Sequence, residues 1–347
     1  MSGGVDSSVA ALRLALGGSA RCAGGSFVVQ GALGSAGIER ARRLCARLGI
    51  PHYLVDARDG FHSAVIRDFA ETYEMGRTPN PCVRCNSRIK FGLFAQELRS
   101  RMIADGICGE GQEEFSFATG HYARLAVVNG SPMILRARDR WKDQSYMLYR
   151  LDREQLSRAI FPLGEFLKNE VREIARREGL EAADAEESQD ACFLEGTYVD
   201  FLAREIPRSA PFERGEIRDM AGELRGYHGG YIRYTVGQRQ GLGLGSGPWY
   251  VARIDASSNT VIVGRREEVL RSRFGLSDTR WFIDPPGQGV SCSVQVRYRS
   301  HPVTCMVEGG EGSFLVVLSS PDLITPGQSV VFYDGEHLLG GGIITGF

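Results

Sequence analysis

The sequence has 347 residues, and its 41 lysines and arginines against 42 aspartates and glutamates give a formal net charge of −1. This balance excludes binding of nucleic acid through an overall positive field, so any RNA site must come from local patches. No apolar run is long enough to span a membrane and no signal peptide is recognisable, so we expect a cytoplasmic protein without a membrane partner. In that reducing compartment, the eight cysteines are expected to be free, catalytic or metal-binding thiols rather than a disulfide framework.

The first residues have the layout of a phosphate-binding loop that opens a helix. Residues 2–8 read SGGVDSS, and helix-forming residues follow at 9–16. Glycines let the backbone approach an anion, and the unpaired N–H groups of a helix start face it. Asp6 beside phosphates suits a cation such as Mg²⁺. The stretch is not a Walker loop and resembles the SGGxDS signature of the PP-loop ATP pyrophosphatases; the simpler alternative is a serine-capped helix after a glycine turn.

Strands and helices alternate along the next part of the chain. Strands are predicted at 26–30 and 51–56, and helices at 38–48 and 60–73. This alternation predicts a parallel α/β sheet, which binds ligands at the carboxyl ends of its strands. A phosphate loop normally follows such a strand, which here would end at Met1, so we expect the first strand to lie upstream of this start or to be missing.

A proline-containing loop at 76–86 carries a C-x-x-C pair, Cys82 and Cys85, and leads into a predicted helix at 87–99. A thiol at a helix N-terminus is expected to have a lowered pKa. The pair alone fits half a zinc site, a redox pair, two cluster ligands or incidental cysteines. No second pair with ligand spacing exists in the sequence, which disfavours a structural zinc.

Three further segments carry candidate residues. Residues 115–122 predict a buried strand that brings His121 to the ligand-binding edge of the sheet. Residues 136–153 combine basic residues with aromatics, which suits RNA, although a solvated helix face is the favoured interpretation on composition. After a predicted helix at 168–179, the loop at 186–193 presents Cys192.

From residue 197 onward, short alternating strands and glycine turns replace the helical pattern. A G-x-G at 241–243 lacks a βαβ context and is a weak dinucleotide signal. Residues 249–254 and 260–263 predict a hairpin, and strands at 290–298, 314–318, 329–333 and 338–344 predict a small β-barrel.

The motifs together resemble those of the bacterial tRNA-specific 2-thiouridylases, a PP-loop family. They run along the whole chain in the family's order: SGGVDSS (2–8), GRTPNPCVRCN with IKFG (76–92), ATGHY (118–122), KDQSYMLY (142–149), FPLGE (161–165), SQDACF (188–193), TVGQRQGLG (235–243), PWYV (248–251), VRYR (296–299), TPGQSVVFYDGE (325–336) and LGGGII (339–344). The resemblance implies an α/β parallel-sheet PP-loop domain of the adenine nucleotide alpha hydrolase type over 1–195. A small central β-rich domain over 196–272 and a C-terminal β-barrel that binds tRNA over 273–347 would follow.

The resemblance also implies a reaction, the ATP-dependent 2-thiolation of the wobble uridine (U34) of the Lys, Glu and Gln tRNAs. Adenylation of uridine O2 by ATP with Mg²⁺ would make AMP the leaving group, and a sulfur nucleophile would displace it. Sulfur would come from a cysteine desulfurase directly or from a relay protein.

The family's functional positions map onto this sequence by motif. ATP would be bound by Ser2, Gly3, Gly4, Asp6, Ser7, Ser8 and Gly120, with Mg²⁺ near Asp6. Cys192 takes the persulfide position and Cys85 the facing thiol, while Asn80, Pro81 and Cys82 match the base-contacting loop. The matched tRNA contacts are His121, Lys142, Asp143, Gln144, Arg297, Tyr298 and Gln328.

The sequence departs from the family at two places. Cys82 stands where much of the family has Asp, so three thiols would surround one cavity, and a [4Fe-4S] cluster on Cys82, Cys85 and Cys192 competes with the persulfide route. Residues 27–41 lack the family's acidic and aromatic residues, which leaves only Val28 as an adenine contact. The remaining five cysteines are interpreted as small hydrophobes.

Two other hypotheses remain. An amide-forming PP-loop ligase acting on a small molecule would need neither the cysteine set nor the β-barrel. A non-catalytic, truncated tRNA-binding relative would explain the expected gap at the first strand, and an in-frame apolar stretch upstream of Met1 would exclude it.

Overall fold

The computed structural model describes residues 1–18, 21–29, 35–109, 111, 115–185, 191–287, 289–310 and 313–346. The chain divides into two compact units, Met1–Val65 with Cys82–Glu195 and Glu336–Leu338, and Ile66–Pro81 with Gly196–Gly335 and Leu339–Phe347. Among the described residues, no helix is both long enough and apolar enough to cross a membrane.

The first unit begins with the alternation that the sequence predicts. Its first elements are α1 (Val5–Leu16), β1 (Gly24–Val28), α2 (Ser35–Arg47) and β2 (His52–Asp56). β1 and β2 pair in parallel, from Gly24 opposite His52 to Val28 opposite Asp56. Met1 lies beside β1, where its carbonyl accepts a hydrogen bond from the Ser26 hydroxyl at 2.7 Å. The loop at 2–8 therefore starts at the edge of a parallel sheet.

Two long helices contain π-helical segments. The first comprises α3 (Arg58–Phe61), a π-helical segment at His62–Ile66 and α4 (Arg67–Glu74). The second comprises α5 (Pro81–Arg84), a π-helical segment at Cys85–Phe94 and α6 (Ala95–Ala104). The predicted helix at 87–99 thus starts earlier, at Pro81, because proline is well tolerated in the first helical turn. Both cysteines of the C-x-x-C pair lie within this helix rather than in a loop.

The rest of the first unit is less regular than predicted. It contains β3 (Phe117–Ala118), β4 (Arg124–Val128), β5 (Ser131–Leu135), a 3₁₀ turn (Ser145–Leu148), α7 (Arg153–Ser157), β6 (Ala159–Ile160) and α8 (Lys168–Arg177). β3 pairs in parallel with β6, and β4 with β5 forms a hairpin that the sequence pattern did not show. The strand predicted at 115–122 shortens to two residues.

The basic and aromatic segment at 136–153 is neither a helix face nor an aromatic platform. Tyr146 and Tyr149 are fully buried, whereas Trp141 is 84 % exposed. Two of the three aromatics therefore build the core. The same unit has an apolar cluster in which α1 packs on α8 through Val9, Val171 and Ala175.

The second unit has a four-stranded sheet and a barrel. Its sheet has the order β8-β7-β10-β9, formed by β7 (Arg214–Asp219), β8 (Leu224–Gly229), β9 (Tyr250–Asp255) and β10 (Thr260–Gly264). α9 (Tyr198–Glu205) and α10 (Arg266–Val269) flank these strands in sequence. β9 and β10 form the predicted antiparallel hairpin. The glycine-rich segment after β8 begins with a 3₁₀ turn, Tyr231–Arg233, and no βαβ unit surrounds it in the described residues.

The predicted C-terminal barrel is confirmed. Its strands are β11 (Arg271–Trp281), β12 (Val290–Gln295), β13 (Val303–Gly310), β14 (Ser313–Asp322), β15 (Ser329–Asp334) and β16 (His337–Gly346). They follow the order β11-β14-β13-β12-β15-β16, and β16 pairs back with β11 to close the barrel. β11 and β13 were not predicted. Cys292 and Cys305 lie in the barrel core as small hydrophobes, with their sulfurs 3.7 Å apart.

Candidate active site

The loop at the start of the first unit requires glycine at its centre. Gly3 has φ +72, and a Cβ there would lie 2.0 Å from the carbonyl oxygen of Gly37 in α2. A Cβ on Gly37 would in turn lie 2.6 Å from the Ser2 carbonyl oxygen. The loop and α2 therefore meet backbone to backbone. Arg40 of α2 adds a contact that the sequence pattern did not reveal, since its Nε donates to the Gly3 carbonyl at 3.0 Å.

The start of α1 is available to an anion. Its N-cap is Gly4, which receives no side-chain cap among the described residues, and the first helical bond runs from Ser8 N–H to the Gly4 carbonyl at 3.1 Å. The N–H groups before Ser8 therefore have no helical acceptor. The Ser7 hydroxyl does not cap the helix; it donates to the Gly4 carbonyl at 3.1 Å and accepts from Ser2 N–H at 3.2 Å. The serines hold the loop and leave the helix start open, as phosphate binding requires.

Gly120 lies directly against this helix start. A Cβ on Gly120 would be 2.9 Å from both the Asp6 carbonyl carbon and the Ser7 nitrogen. Val28, the predicted adenine contact, is the half-buried last residue of β1. It lies at the carboxyl end of the strand, the edge at which parallel sheets bind ligands.

The carboxylate of Asp6 has two partners that the sequence did not predict. Lys168 Nζ donates to its Oδ1 at 2.7 Å and to its Oδ2 at 2.8 Å, and the Tyr122 hydroxyl donates to Oδ1 at 2.8 Å. The Lys168 side chain is only 9 % exposed, against 35 % for Asp6. A buried cation thus lies at the mouth of the phosphate loop. The one signal in the sequence was that Lys168 follows the FPLGE motif closely.

The three candidate thiols are electrostatic neighbours. Cys85 is buried, while Cys82 and Cys192 reach the surface. Desolvation by the surrounding protein raises the pKa of Cys82 and of Cys192, and it raises the pKa of Cys85 to about 12. The neighbouring Cys192 and Cys82 add to the rise at Cys85. The predicted lowering of the pKa at a helix N-terminus is therefore wrong, because desolvation outweighs the helix dipole.

Lys90 opposes this rise at all three thiols. Its ammonium lowers the pKa of Cys82, Cys85 and Cys192, although less than desolvation raises it. Lys90 follows Cys85 by five residues in the π-helical segment, whose hydrogen bonds run from i to i+5. One wide turn therefore places the ammonium on the same face as the buried thiol. The sequence pattern does not reveal the role of Lys90, because an ordinary α-helix would point this side chain away from Cys85.

The π-helical segment is stabilised from outside at its kink. Gly92 interrupts the helical backbone at φ −95 and ψ −108. A Cβ on Gly92 would approach the Ser87 carbonyl oxygen to 3.0 Å. That oxygen accepts a hydrogen bond from Gln155 Nε2 at 2.9 Å. Gln155 also completes the capping box of α7 with Asp152.

The part of the chain that the structure describes shows no ready-made site for a metal ion. Among the described residues, no group of three or more His, Cys, Asp or Glu side chains is arranged to hold a metal ion. The [4Fe-4S] cluster on Cys82, Cys85 and Cys192 therefore stays a prediction. Part of the loop before Cys192, residues 186–190, lies outside the described residues.

His121 is buried and neutral. Its Nδ1 lies 2.8 Å from the Thr119 hydroxyl, and its ring stacks on Phe91 with a centroid distance of 6.3 Å. Burial, with a smaller contribution from Lys90, holds the pKa of His121 well below 6.5. The ring can therefore offer hydrogen bonds but carries no positive charge for a phosphate.

The Lys142-Asp143-Gln144 motif builds its own loop. Asp143 is buried, and its carboxylate accepts from Arg136 Nη1 at 3.2 Å and from the Ser145 hydroxyl at 3.0 Å. Gln144 Oε1 accepts from Tyr122 N–H at 3.0 Å, and Gln144 N–H donates to the Tyr122 carbonyl at 2.8 Å. Asp143 and Gln144 thus fix the backbone that also presents Tyr122 to Asp6.

In the second unit, Gln328 contacts the segment that leads to Asn80 and Pro81. Its Nε2 donates to the carbonyls of Thr78, at 3.1 Å, and Pro79, at 2.9 Å. A backbone hydrogen bond adds to this contact, because Thr78 N–H donates to the Pro326 carbonyl at 2.9 Å. Gln328 therefore anchors the backbone next to the predicted base-contacting residues.

Arg297 and Tyr298 lie in the turn after β12. The Arg297 side chain is 46 % exposed, with Nη1 3.5 Å from Asp322 Oδ1 and 3.3 Å from the Leu323 carbonyl. The guanidinium carbon of Arg299 lies 5.1 Å from the Tyr298 ring centroid. This turn places positive charge at the surface of the barrel.

A cavity of about 470 Å³ lies elsewhere in the second unit, along the glycine-rich segment between Arg239 and Trp249. None of the predicted site residues lines it.

Comparison with known proteins covers the whole chain. The family described as tRNA methyl transferase HUP domain matches residues 1–196, the tRNA methyl transferase PRC-barrel domain matches 199–265, and the aminomethyltransferase beta-barrel domain matches 271–344. These matches confirm the predicted fold class, with an α/β nucleotide-binding domain first and a β-barrel last.

Several similar proteins carry one name, tRNA-specific 2-thiouridylase MnmA. That of Geobacter metallireducens is 45 % identical over 312 residues, covering 88 % of this chain and 81 % of the relative. That of a Synechococcus species is 41 % identical, covering 99 % and 95 %. That of Acidithiobacillus ferrooxidans is 40 % identical, covering 100 % and 97 %. The chain belongs to the tRNA-specific 2-thiouridylase family.

Proposed function

We propose that this protein is an ATP-dependent tRNA-uridine 2-sulfurtransferase that thiolates the wobble uridine (U34) of the Lys, Glu and Gln tRNAs. The observation that carries the proposal is that one compact unit holds both an open phosphate loop and three interacting thiols, in a chain of this family. The phosphate loop supplies the means to activate an oxygen, and the thiols supply sulfur chemistry.

The first step is adenylation of uridine O2. The unpaired N–H groups at the start of α1, with Ser2, Ser7 and the close backbone of Gly3 and Gly4, bind the triphosphate. Uridine O2 attacks the α-phosphate, the bond to the β-phosphate breaks, and pyrophosphate leaves. Ser8 and Gly120 support this loop by packing, and Val28 lies at the sheet edge for the adenine.

Mg²⁺ bound with ATP would offset negative charge on the phosphates. Asp6 fits it, because Mg²⁺ is commonly held by one or two carboxylates together with substrate phosphates, and the Asp6 carboxylate is half-exposed at the helix start.

The second step is sulfur transfer from Cys192. A cysteine desulfurase or a relay protein leaves a persulfide on Cys192, and its terminal sulfur attacks C2 of the adenylated uridine while AMP leaves with its electron pair. The Cys85 thiolate then attacks the Cys192 sulfur, forming a Cys85–Cys192 disulfide and releasing the 2-thiouridine. A dithiol reductant resets the enzyme. Cys82 stands next to this exchange, and no step is assigned to a cluster.

The tRNA is held by residues with two kinds of role. Asn80, Pro81 and Cys82 grip the extruded uridine. Lys142, Arg297 and Tyr298 contact the RNA directly. His121, Asp143, Gln144 and Gln328, whose polar atoms already bond to the protein, hold the contacting segments in place.

The test is thiolation of a defined tRNA in vitro. The protein is incubated with a Lys, Glu or Gln tRNA transcript, Mg·ATP and a persulfide-generating desulfurase, and nucleosides are quantified by mass spectrometry. We expect 2-thiouridine at position 34 alone, its loss in Cys85→Ser and Cys192→Ser, and full activity in Cys108→Ser, whose half-buried thiol lies outside the candidate set. No 2-thiouridine from the wild-type protein, or full activity without Cys192, would refute the proposal.

A further inference from the structure

The Lys168 ammonium lies at the phosphate loop and donates hydrogen bonds to both oxygens of one carboxylate, that of Asp6. Its Nζ lies 2.7 and 2.8 Å from the two oxygens of Asp6, and its side chain is 9 % exposed. A buried lysine needs a partner because desolvation of its charge is costly. Asp6 supplies such a partner.

The surroundings hold Lys168 in place from its backbone outward. It is the first residue of α8, and its N–H donates to Asp139 Oδ2 at 2.9 Å. α8 packs on α1, and Val9, Val171 and Ala175 belong to the same buried apolar cluster. The ring centroid of Tyr122 lies 5.7 Å from the ammonium. The base of the side chain is thus fixed relative to the phosphate loop, while its four-carbon stem leaves the ammonium free to change partner.

Resting on the proposed function, we propose that Lys168 binds the β- and γ-phosphates of ATP, and that Asp6 passes from Lys168 to Mg²⁺ when the nucleotide enters. Mg²⁺ and an ammonium compete for the same carboxylate oxygens and repel each other. The triphosphate arrives with oxygens that accept from an ammonium, and lysine binds phosphate well as a point charge. Until then, the Asp6–Lys168 pair holds both side chains in place. During adenylation, the ammonium stabilises the departing pyrophosphate.

The proposal is tested by nucleotide binding without tRNA. Dissociation constants for Mg·ATP and for AMP are measured by competition against a fluorescent nucleotide, on wild-type protein and on Lys168→Met. AMP lacks the β- and γ-phosphates. We therefore expect Lys168→Met to bind ATP roughly tenfold or more weakly than wild-type protein does, and to bind AMP less than about threefold more weakly. Arg176→Met removes one exposed positive charge from the same helix and is expected to change neither constant.

Two results would overturn the proposal: equal losses for ATP and AMP, which mark a purely structural lysine, or no loss for either. If Lys168→Met does not fold, the comparison is made between Asp6→Asn and the double variant Asp6→Asn/Lys168→Met, in which neither charge is left unpaired. In that comparison, the double variant must bind ATP more weakly than Asp6→Asn does, while the two variants bind AMP with similar affinity. Failure of wild-type protein to bind ATP would instead count against the proposed function.

Discussion

Gly120 touches the peptide that joins Asp6 to Ser7, closely enough that a Cβ would lie 2.9 Å from its backbone atoms. The backbone after β3 can therefore pack against the start of α1 only because Gly120 has no side chain. We expect Gly120→Ala to push the helix start aside, lowering the free energy of unfolding by about 1–3 kcal/mol and abolishing ATP binding. Thermal unfolding and nucleotide titration check both effects. Gly245→Ala, with no atom near its Cβ, is the matched control, and normal ATP binding by Gly120→Ala would contradict the close contact.

The thiols should react slowly at neutral pH and faster as the pH rises. With its pKa at about 12, Cys85 is protonated near pH 7, and its thiolate fraction grows about tenfold per pH unit. Lys90→Met removes the ammonium that opposes the rise, so alkylation of Cys85 should slow on the order of tenfold at each pH. Rates for each cysteine are measured by mass spectrometry after iodoacetamide treatment. Arg88→Met removes an exposed cation from the same helical segment, and an equal slowing in that variant would show that the effect is not local.

Buried His121 should make the fold sensitive to mild acid. Its pKa in the folded protein lies well below 6.5, whereas in the unfolded chain it takes its ordinary value near 6.5. Below about pH 6.5 the unfolded state therefore binds a proton that the folded state excludes, so stability falls as pH falls, by at most about 1.4 kcal/mol per pH unit for this group. Denaturant unfolding at pH 7.5 and 5.5 measures the slope. His121→Gln should flatten it, whereas exposed His301→Gln should not; unchanged slopes in both variants would remove His121 as the cause.

Substitution of Gln328 should impair tRNA thiolation without changing the affinity for ATP. Gln328→Leu removes the two hydrogen bonds to the Thr78 and Pro79 carbonyls and loosens the backbone that carries Asn80. We expect a higher KM for tRNA and a loss of stability of about 1–3 kcal/mol, with the dissociation constant for ATP unchanged. Gln328→Glu keeps the size but cannot donate, so it should behave like the leucine variant. Retention of the wild-type KM by the glutamate variant would show that donation to this backbone is unimportant.

The sequence predicted those parts of the structure that depend on local pattern. Residues 2–8 and the alternation that follows predicted the α/β start, and period-two alternation predicted the barrel, although β11 was missed because its charged residues obscure the inward Phe274 and Leu276. The motif matches predicted the three thiols as one set.

The features of the candidate site that the sequence did not predict depend on contacts between residues far apart in the chain and on how deeply side chains are buried. Lys168 meets Asp6 across 162 residues of sequence, which no periodicity reveals. The predicted effect of a helix N-terminus on the thiols had the wrong sign because desolvation, a property of the packed structure, outweighs it. Tyr146 and Tyr149 were grouped with candidate RNA contacts because their side chains are aromatic, yet both belong to the core.

The π-helical winding at Cys85–Phe94 makes the number of residues in this stretch as important as their identity. Wound as an ordinary α-helix at about 100° per residue, the same five-residue step would turn the Lys90 side chain about 140° away from Cys85. Removal of one residue between them would restore the shared face, because residues four apart lie on one face of an α-helix. The winding and the residue count therefore decide together whether the ammonium faces the thiol, and a substitution that lets the segment rewind would separate the two groups even when both side chains are kept.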